Sequence, residues 1–351
     1  MAVEENNSVL PPEIIEFILS KSTSKSLHLF KTVSKSWNIL ISDPVFRRSH
    51  LHQSRYSKSR NLFLRSFDSN NSHACFSLVK FEDRKFHTVQ QQLKVPDNFT
   101  KILCFCDGVL VLSKSDSLYD RFMFWNPSTQ KIYISPLKKF KPACSYGLCH
   151  DPTIGGFKFI IVYGMLYFVI SCNGKRWTLT RKIMEHNMHG EMSSPVSVEG
   201  VVYWVKWHLD SRIIRYRITY FDPKDDKFKI LQKPENVVET TKFYLVDLRG
   251  RLCLYCNGPG NNMYTVKIWM KGKGRGNSSW NELVTIENVE TPIWWFKPLG
   301  IVENKILIRL ASVAKTLLYN PFEKTFEQVE DLTFTELVPY MESLFFPDPI
   351  I

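Results

Sequence analysis

Gly108-Val-Leu-Val-Leu112 and, after a polar loop, Phe122-Met-Phe-Trp-Asn-Pro127 decide how this chain is read. Alternating apolar side chains followed by a second apolar run describe two neighbouring strands. The closing Asn-Pro is turn chemistry, because the Asx side chain bonds nearby backbone and proline fixes φ. The layout recurs in Asn61–Leu64 with Cys75–Phe81, and in Phe157–Tyr163 with Leu166–Ile170. It recurs again in Gly200–Trp204 with Ile218–Pro223, Gly250–Leu254 with Val266–Met270, and Asn304–Ile308 with Thr316–Pro321. The blocks start at 61, 108, 157, 200, 250 and 304, so their spacings are 47, 49, 43, 50 and 54 residues.

A period near 50 with several strands per unit resembles a degenerate six-bladed kelch-like propeller, although kelch's paired glycines are missing. An irregular pair of β-sandwiches is the alternative. Trp125-Asn-Pro, Phe221-Asp-Pro and Tyr319-Asn-Pro hold the same place in three blocks, which suits an aromatic strand end packed between sheets. Cys172-Asn-Gly-Lys175 adds a hairpin signal before Trp177.

Residues 10–51 read differently. Pro11 and Pro12 suit a first helical turn, and Ile14, Ile15, Ile18 and Leu19 recur at helical spacing. Ser22-Thr23-Ser24 breaks the pattern. Leu27, Phe30, Val33, Trp37, Leu40 and Ile41 resume it, and Asp43-Pro44 starts a last short helix ending near Leu51. The expected class is α+β multidomain: a small helical domain over 1–52, a linker over 53–60 and an all-β domain over 61–351.

Composition sets the outer limits. The 351 residues are 44% hydrophobic and 23% charged, enough for a sizeable core. The net charge of +12 is spread along the chain and reads as a solvated positive surface. The start is acidic and polar, unlike a signal peptide. The longest apolar run, Phe159–Ile170, is too short for a membrane helix. Eight cysteines without a secretory signal predict reduced thiols in the cytosol or nucleus. Cys253 and Cys256, three apart on a strand, would face opposite ways, which argues against zinc.

No catalytic constellation emerges. There is no Gly-x-Ser-x-Gly elbow and no His-Glu-x-x-His. Gly272–Asn277 lacks phosphate-loop spacing and reads as a hairpin loop. His186 and His189 read as loop residues rather than metal ligands, and Asp225-Asp226 as turn polarity. Lys206-Trp207-His208 and Arg215-Tyr216-Arg217 mix basic and aromatic residues, as single-strand binders do; we read them as solvent-and-core alternation. The expectation is a non-enzyme without cofactor or metal.

Leu10-Pro-Pro-Glu-Ile-Ile-Glu-Phe-Ile-Leu19, Lys25–Trp37, Ile41–Phe46 and His50-Leu51 together resemble an F-box. Cys106-Asp-Gly-Val-Leu110, Trp125–Ile132, Tyr146-Gly-Leu148, Val201–Trp204, Phe221-Asp-Pro223, Ile268-Trp269, Ser279-Trp280 and Tyr340–Leu344 follow in order and resemble the F-box-associated domain of plant F-box proteins. Departures from the pattern are Ser22-Thr23-Ser24, Leu29 and Gly155-Gly156. The resemblance implies a substrate-recognition subunit of a cullin–RING ubiquitin ligase, bound to a Skp-type adaptor and through it to a cullin. The apolar residues at Leu10, Pro11, Ile14, Ile15, Ile18, Leu19, Leu27, Phe30, Val33 and Trp37 exceed what about forty residues can hide alone, and are the expected adaptor surface. The β-domain would hold a target protein, raising the effective concentration of its lysines. Trp294 and Trp295 are the candidate target contacts, in a run flanked by Pro292 and Pro298. The alternative is a sugar- or nucleic-acid-binding propeller with a degenerate F-box. No membrane role is expected.

Overall fold

The computed structural model describes residues 10–55, 60–67, 74–93, 95, 99–116, 119–135, 145–151, 156–172, 177–185, 190–258, 264–274, 279–329 and 336–347. Four helices open it: α1 (Pro12–Ser20), α2 (Ser24–Phe30), α3 (Lys35–Ser42) and α4 (Pro44–Arg55). Side chains cap three of the four starts. Thr23 accepts from the Ser26 amide, Ser34 from Trp37, and Asp43 from Val45 and Phe46, satisfying donors the first turn leaves free. α4 runs past the expected end near Leu51, so part of the predicted 53–60 linker is helix up to Arg55. Residues 56–59 lie outside the described ones.

The strands form six antiparallel sheets among the described residues. From inner to outer edge, the first sheet runs β25 (Glu336–Pro339), β1 (Arg60–Phe67), β2 (Ala74–Glu82), β3 (Lys85–Leu93). The second runs β4 (Lys101–Cys106), β5 (Val109–Asp116), β6 (Tyr119–Asn126), β7 (Lys131–Ile134). The third runs β8 (Ser145–Asp151), β9 (Gly156–Tyr163), β10 (Leu166–Cys172), β11 (Trp177–Ile183). In the fourth, β12 (Glu191–Met192) and β13 (Val196–Val198) both pair with β14 (Val201–Asp210), followed by β15 (Ile213–Asp222) and β16 (Lys227–Leu231). The fifth runs β17 (Phe243–Leu248), β18 (Arg251–Asn257), β19 (Val266–Lys271), β20 (Trp280–Ile286). The sixth runs β21 (Phe296–Val302), β22 (Lys305–Leu310), β23 (Lys315–Asn320), β24 (Thr325–Gln328).

The apolar blocks of the sequence are the two middle strands of each sheet. Those strands are covered on both faces, hence their long apolar runs. Buried clusters fill the gaps between successive sheets. Phe76 and Trp125 join the first two, Phe122 and Phe159 the second and third, and Tyr167 and Trp204 the third and fourth. A larger cluster from Ile218 through Trp269 to Tyr319 spans the last three. Leu62 and Leu318 close the ring, and β25 pairs with β1 to bring the end of the chain into the first sheet. Each sheet therefore packs against two neighbours, as in a propeller and unlike a pair of sandwiches.

Two local devices shape the ring. Asp107-Gly108, Glu199-Gly200, Arg249-Gly250 and Glu303-Asn304 all have positive φ at both residues, making two-residue hairpin turns from the inner strand to the next in the second, fourth, fifth and sixth sheets. The Asx-Pro turns also form as read. Asn126 Oδ1 accepts the Ser128 and Thr129 amides, Asp222 that of Lys224, and Asn320 those of Phe322 and Glu323. Trp125, Phe221 and Tyr319 before them are buried.

Because the strands alternate in direction, the ring has two ends. The turns at Asp107-Gly108 and Asn126–Thr129 lie at one, together with residues 340–347 leaving β25. The β14–β15 and β22–β23 turns and the segment before β21 lie at the other.

Candidate functional site

The helical domain sits at the first end and is locked there by residues 340–347. Asn126 Nδ2 donates to the Ser343 and Phe345 carbonyls at 2.9 Å each. The Tyr340 hydroxyl lies 2.7 Å from Ser128 Oγ, and Glu342 accepts the Ser24 amide at 3.0 Å. Leu344 completes the helical core of Leu19, Leu27, Ile41 and Phe46, while Leu51 of α4 enters the cluster between the second and third sheets. The turn residue Gly108 has φ +78°, and a Cβ there would lie 2.5 Å from Ser343 Cβ. Glycine therefore serves both the turn and the close approach.

α1 has two faces, set by its 3.6-residue period. Ile15 and Leu19 face the helical core. Ile14, Phe17 and Ile18 face solvent, at 45%, 61% and 49% exposure. Of the predicted adaptor residues, Leu10, Pro11, Ile14, Ile18 and Val33 are exposed. Leu19 and Leu27 are 0% exposed. They are core residues, not surface, because α3 and α4 close over them. Ile15, Phe30 and Trp37 are half-buried against that core, with the Phe30 and Trp37 rings edge-to-face at 5.7 Å. Also exposed on the helical domain are Phe17, Ile39 and Val45, which the sequence reading passed over, and Leu29, which it named only as a departure from the pattern. Phe17, three residues after Ile14, was the legible one.

The other end carries a second apolar surface. Trp294 and Trp295 are 54% and 45% exposed. They lie in a short 3₁₀ turn, Ile293–Trp295, not on a strand. The expected shared face of Trp294 and Phe296 does not form, since Phe296 is buried at the start of β21. Pro298 does not bound the run either. It is buried inside β21, where the ladder shifts register, a place that tolerates proline. Leu209, Ile213 and Ile214 of the β14–β15 hairpin, Val238, Tyr264 and Val313 are exposed at this same end.

Polar chemistry elsewhere is structural. Asp226 pairs with the buried Lys158 at 2.8 Å, and Asp151 with the same ammonium at 3.0 Å. Cys253 and Cys256 are buried, and burial pushes both thiols up, Cys256 to about 12, away from the thiolate a metal needs. Among the described residues no group of three or more His, Cys, Asp or Glu is placed to hold a metal ion. His186, His189, Asn173-Gly174 and Arg275–Asn277 lie outside the described residues. No described helix is long and apolar enough to cross a membrane. One reading of the basic strands fails: Lys206 is 1% exposed, not solvent-facing.

Comparison with known proteins follows the same division. Residues 8–49 match the F-box domain, and residues 62–330 match the F-box associated beta propeller domain. An F-box protein of Arabidopsis thaliana is 23% identical over 363 residues, covering 95% of this chain and 88% of that one. A second from the same plant is 25% identical over 342 residues, covering 85% and 88%. Among solved structures, a chain of a nidogen/laminin complex superposes at a TM-score of 0.47 with 10% identity, covering 80% of this chain and 96% of that one.

Proposed function

Because the chain belongs to the F-box proteins with an F-box-associated β-propeller domain, we propose that it is the substrate-recognition subunit of a cullin–RING ubiquitin ligase. In this reading each of the six sheets is one blade, and the protein works in the cytosol or nucleus. The observation that carries the proposal is the solvent-facing stripe of Ile14, Phe17 and Ile18 on α1, extended by Leu10, Leu29 and Val33. Ile14, Phe17 and Ile18 are apolar, contiguous along one face of α1 and exposed rather than used by the fold. Covering them with a Skp-type adaptor would remove their surface from water at about 25 cal/mol per Å².

The far end supports the second half of the reading. Trp294 and Trp295 have the composition of an interface hot spot, and the helical domain leaves them uncovered. A target held there stands at the opposite end of the ring from the adaptor. The protein itself performs no chemistry; it supplies proximity. Co-expression of the full chain with a Skp-type adaptor, followed by capture of either partner, tests the proposal. Recovery of a stoichiometric complex is the expected result. Failure to form one, or retention on heparin with steep salt dependence, would favour a propeller that binds other ligands.

A further inference from the structure

At the far end the inner strands enclose a cavity of about 360 Å³ on the axis of the ring. That lies within the roughly 300–1,000 Å³ range of small-molecule sites. Its wall is mainly apolar, with Phe105 of β4, Val196 of β13, Tyr244 of β17, Tyr255 of β18 and Val338 of β25. The Tyr244 and Tyr255 rings stack at 5.3 Å with 21° between their planes, which makes this part of the wall aromatic. Among the described lining residues the charged ones are Lys297 of β21, Asp247 of β17 and Glu336 of β25, and Lys242 lies over the Tyr244 ring at 5.6 Å.

Lys297 stands where the cavity opens. Its side chain is accessible, yet what it reaches is the cavity, and enclosure by protein lowers the pKa of its ammonium. An ammonium has three donors. Here one goes to the Leu337 carbonyl, at 3.3 Å. Among the described residues no carboxylate lies within ion-pair distance. Glu336 stands in the same wall, but its carboxylate is held by Arg65 at 3.2 Å. Lys158, by contrast, has two carboxylates and a carbonyl on its ammonium. Lys206 is also buried without a carboxylate, but it lies in packed protein at 1% exposure, whereas Lys297 opens on a cavity with room for a counter-ion.

We propose that this cavity is a ligand site for an organic carboxylate with an apolar, aromatic body. The carboxylate pairs with Lys297 Nζ, and the body lies against Tyr244, Tyr255, Phe105 and Val338. A single negative charge fits, because one lysine faces it and the carboxylates of Glu336 and Asp247 in the same wall repel a second. A free small acid and the carboxyl terminus of a bound protein share this chemistry, and the site lies at the end where Trp294 and Trp295 are exposed. The assignment does not depend on the ligase reading, because the helical domain takes no part in it.

The test uses the full chain and two matched pairs of probes, read by titration calorimetry and ligand-observed NMR. One pair is 3-phenylpropanoate and 3-phenylpropanamide. The other is acetyl-Gly-Gly-Phe with a free carboxyl end and the same peptide amidated. At least one acid is expected to bind, with its amide at least tenfold weaker. Lys297→Met should abolish that preference, while Lys297→Arg, which keeps the charge, should retain it. Both variants should melt with the unsubstituted protein. Stronger binding of the small acid assigns the site to a free metabolite-sized ligand; stronger binding of the peptide assigns it to a protein terminus. Absence of binding by both acids, equal binding of acid and amide, or undiminished binding by Lys297→Met would overturn the proposal.

Discussion

Two buried lysines show how differently the two ends of the ring are built. Lys158 lies near the helical end, on β9, with Asp151, Asp226 and the Pro223 carbonyl around its ammonium. Burial alone would lower its pKa, but hydrogen bonds to Asp226 and Asp151 outweigh this and raise it. Lys206 lies farther along β14, toward the other end, at 1% exposure, with Met184 Sδ at 3.4 Å from its ammonium. Burial, aided by the charge of Arg217, lowers its pKa to about 8. At the helical end, hydrogen bonds from Asn126, Tyr340 and Ser24 tie residues 340–347 to both domains. Toward the far end Arg215 pairs with Asp210 and Glu239, but among the described residues no carboxylate lies within ion-pair distance of Lys206 or Lys297, and Trp294 and Trp295 are exposed.

The strongest way to break this contrast is at the junction. Leu344→Asp places a carboxylate in the core of the helical domain, where Leu344 packs on Leu19 and Ile41. An unpaired buried charge costs about 3–5 kcal/mol. The helical domain should lose its cooperative melting and its adaptor binding together, while the β-domain keeps its own transition in calorimetry. A single unchanged transition would show that the tail does not join the two.

The next effect is confined to one surface. Ile14→Asp and Ile18→Asp change solvent-facing residues, so melting should move little. Adaptor binding should fall by about a hundredfold or more in each, since either charge would be desolvated in the complex. Leu19→Asp should instead unfold the helical domain. If Ile14→Asp and Ile18→Asp bind the adaptor undiminished, the exposed face of α1 is not the contact.

That difference between neighbouring leucines and isoleucines marks how far the sequence could be read. Middle strands, Asx-Pro turns and helix starts were legible because each depends on residues close in sequence. The inner strands were not, since β12, β13 and β25 are short and owe their place to partners across the ring. Leu19 and Leu27 share the apolar pattern of Ile14 and Ile18. Which face turns inward depends on α3, α4 and Leu344, the last more than three hundred positions away. The exposure of Trp294 and Trp295 was readable only as a choice, because three aromatics in a row suit burial equally well. The cavity around Lys297 needed β4, β13, β17, β18, β21 and β25 together, and no local pattern announces such a convergence.

The far surface gives a smaller effect. Trp294→Ala and Trp295→Ala should each weaken capture of a target protein by about 2 kcal/mol, the scale of a hot spot. Adaptor binding and melting should stay unchanged, because both rings are already about half exposed. A fall of several degrees in the melting temperature of either variant would place that ring in the core instead.

Lys206 offers the finest test, and its sign is opposite. A lysine whose pKa falls on folding destabilises the native state wherever the unfolded chain binds the proton more tightly. Between the native value of about 8 and the ordinary 10.5, raising the pH therefore relieves the penalty; below about 8 the whole penalty is present. Lys206→Met keeps the length of the side chain and removes the charge beside Met184 and Arg217. Each tenfold loss of proton affinity on folding corresponds to about 1.4 kcal/mol. At pH 7 this variant should therefore be more stable than the unsubstituted protein by up to about 3 kcal/mol. The advantage should shrink steadily from pH 8 to 10.5. Taking the difference between the two proteins at each pH cancels the tyrosine and cysteine titrations they share. Lys158→Met should do the reverse, losing stability at pH 7 because it removes the ammonium that bridges Asp151 and Asp226. If denaturant titrations show both methionine variants shifted in the same direction, the two ends do not differ in how they treat a buried charge.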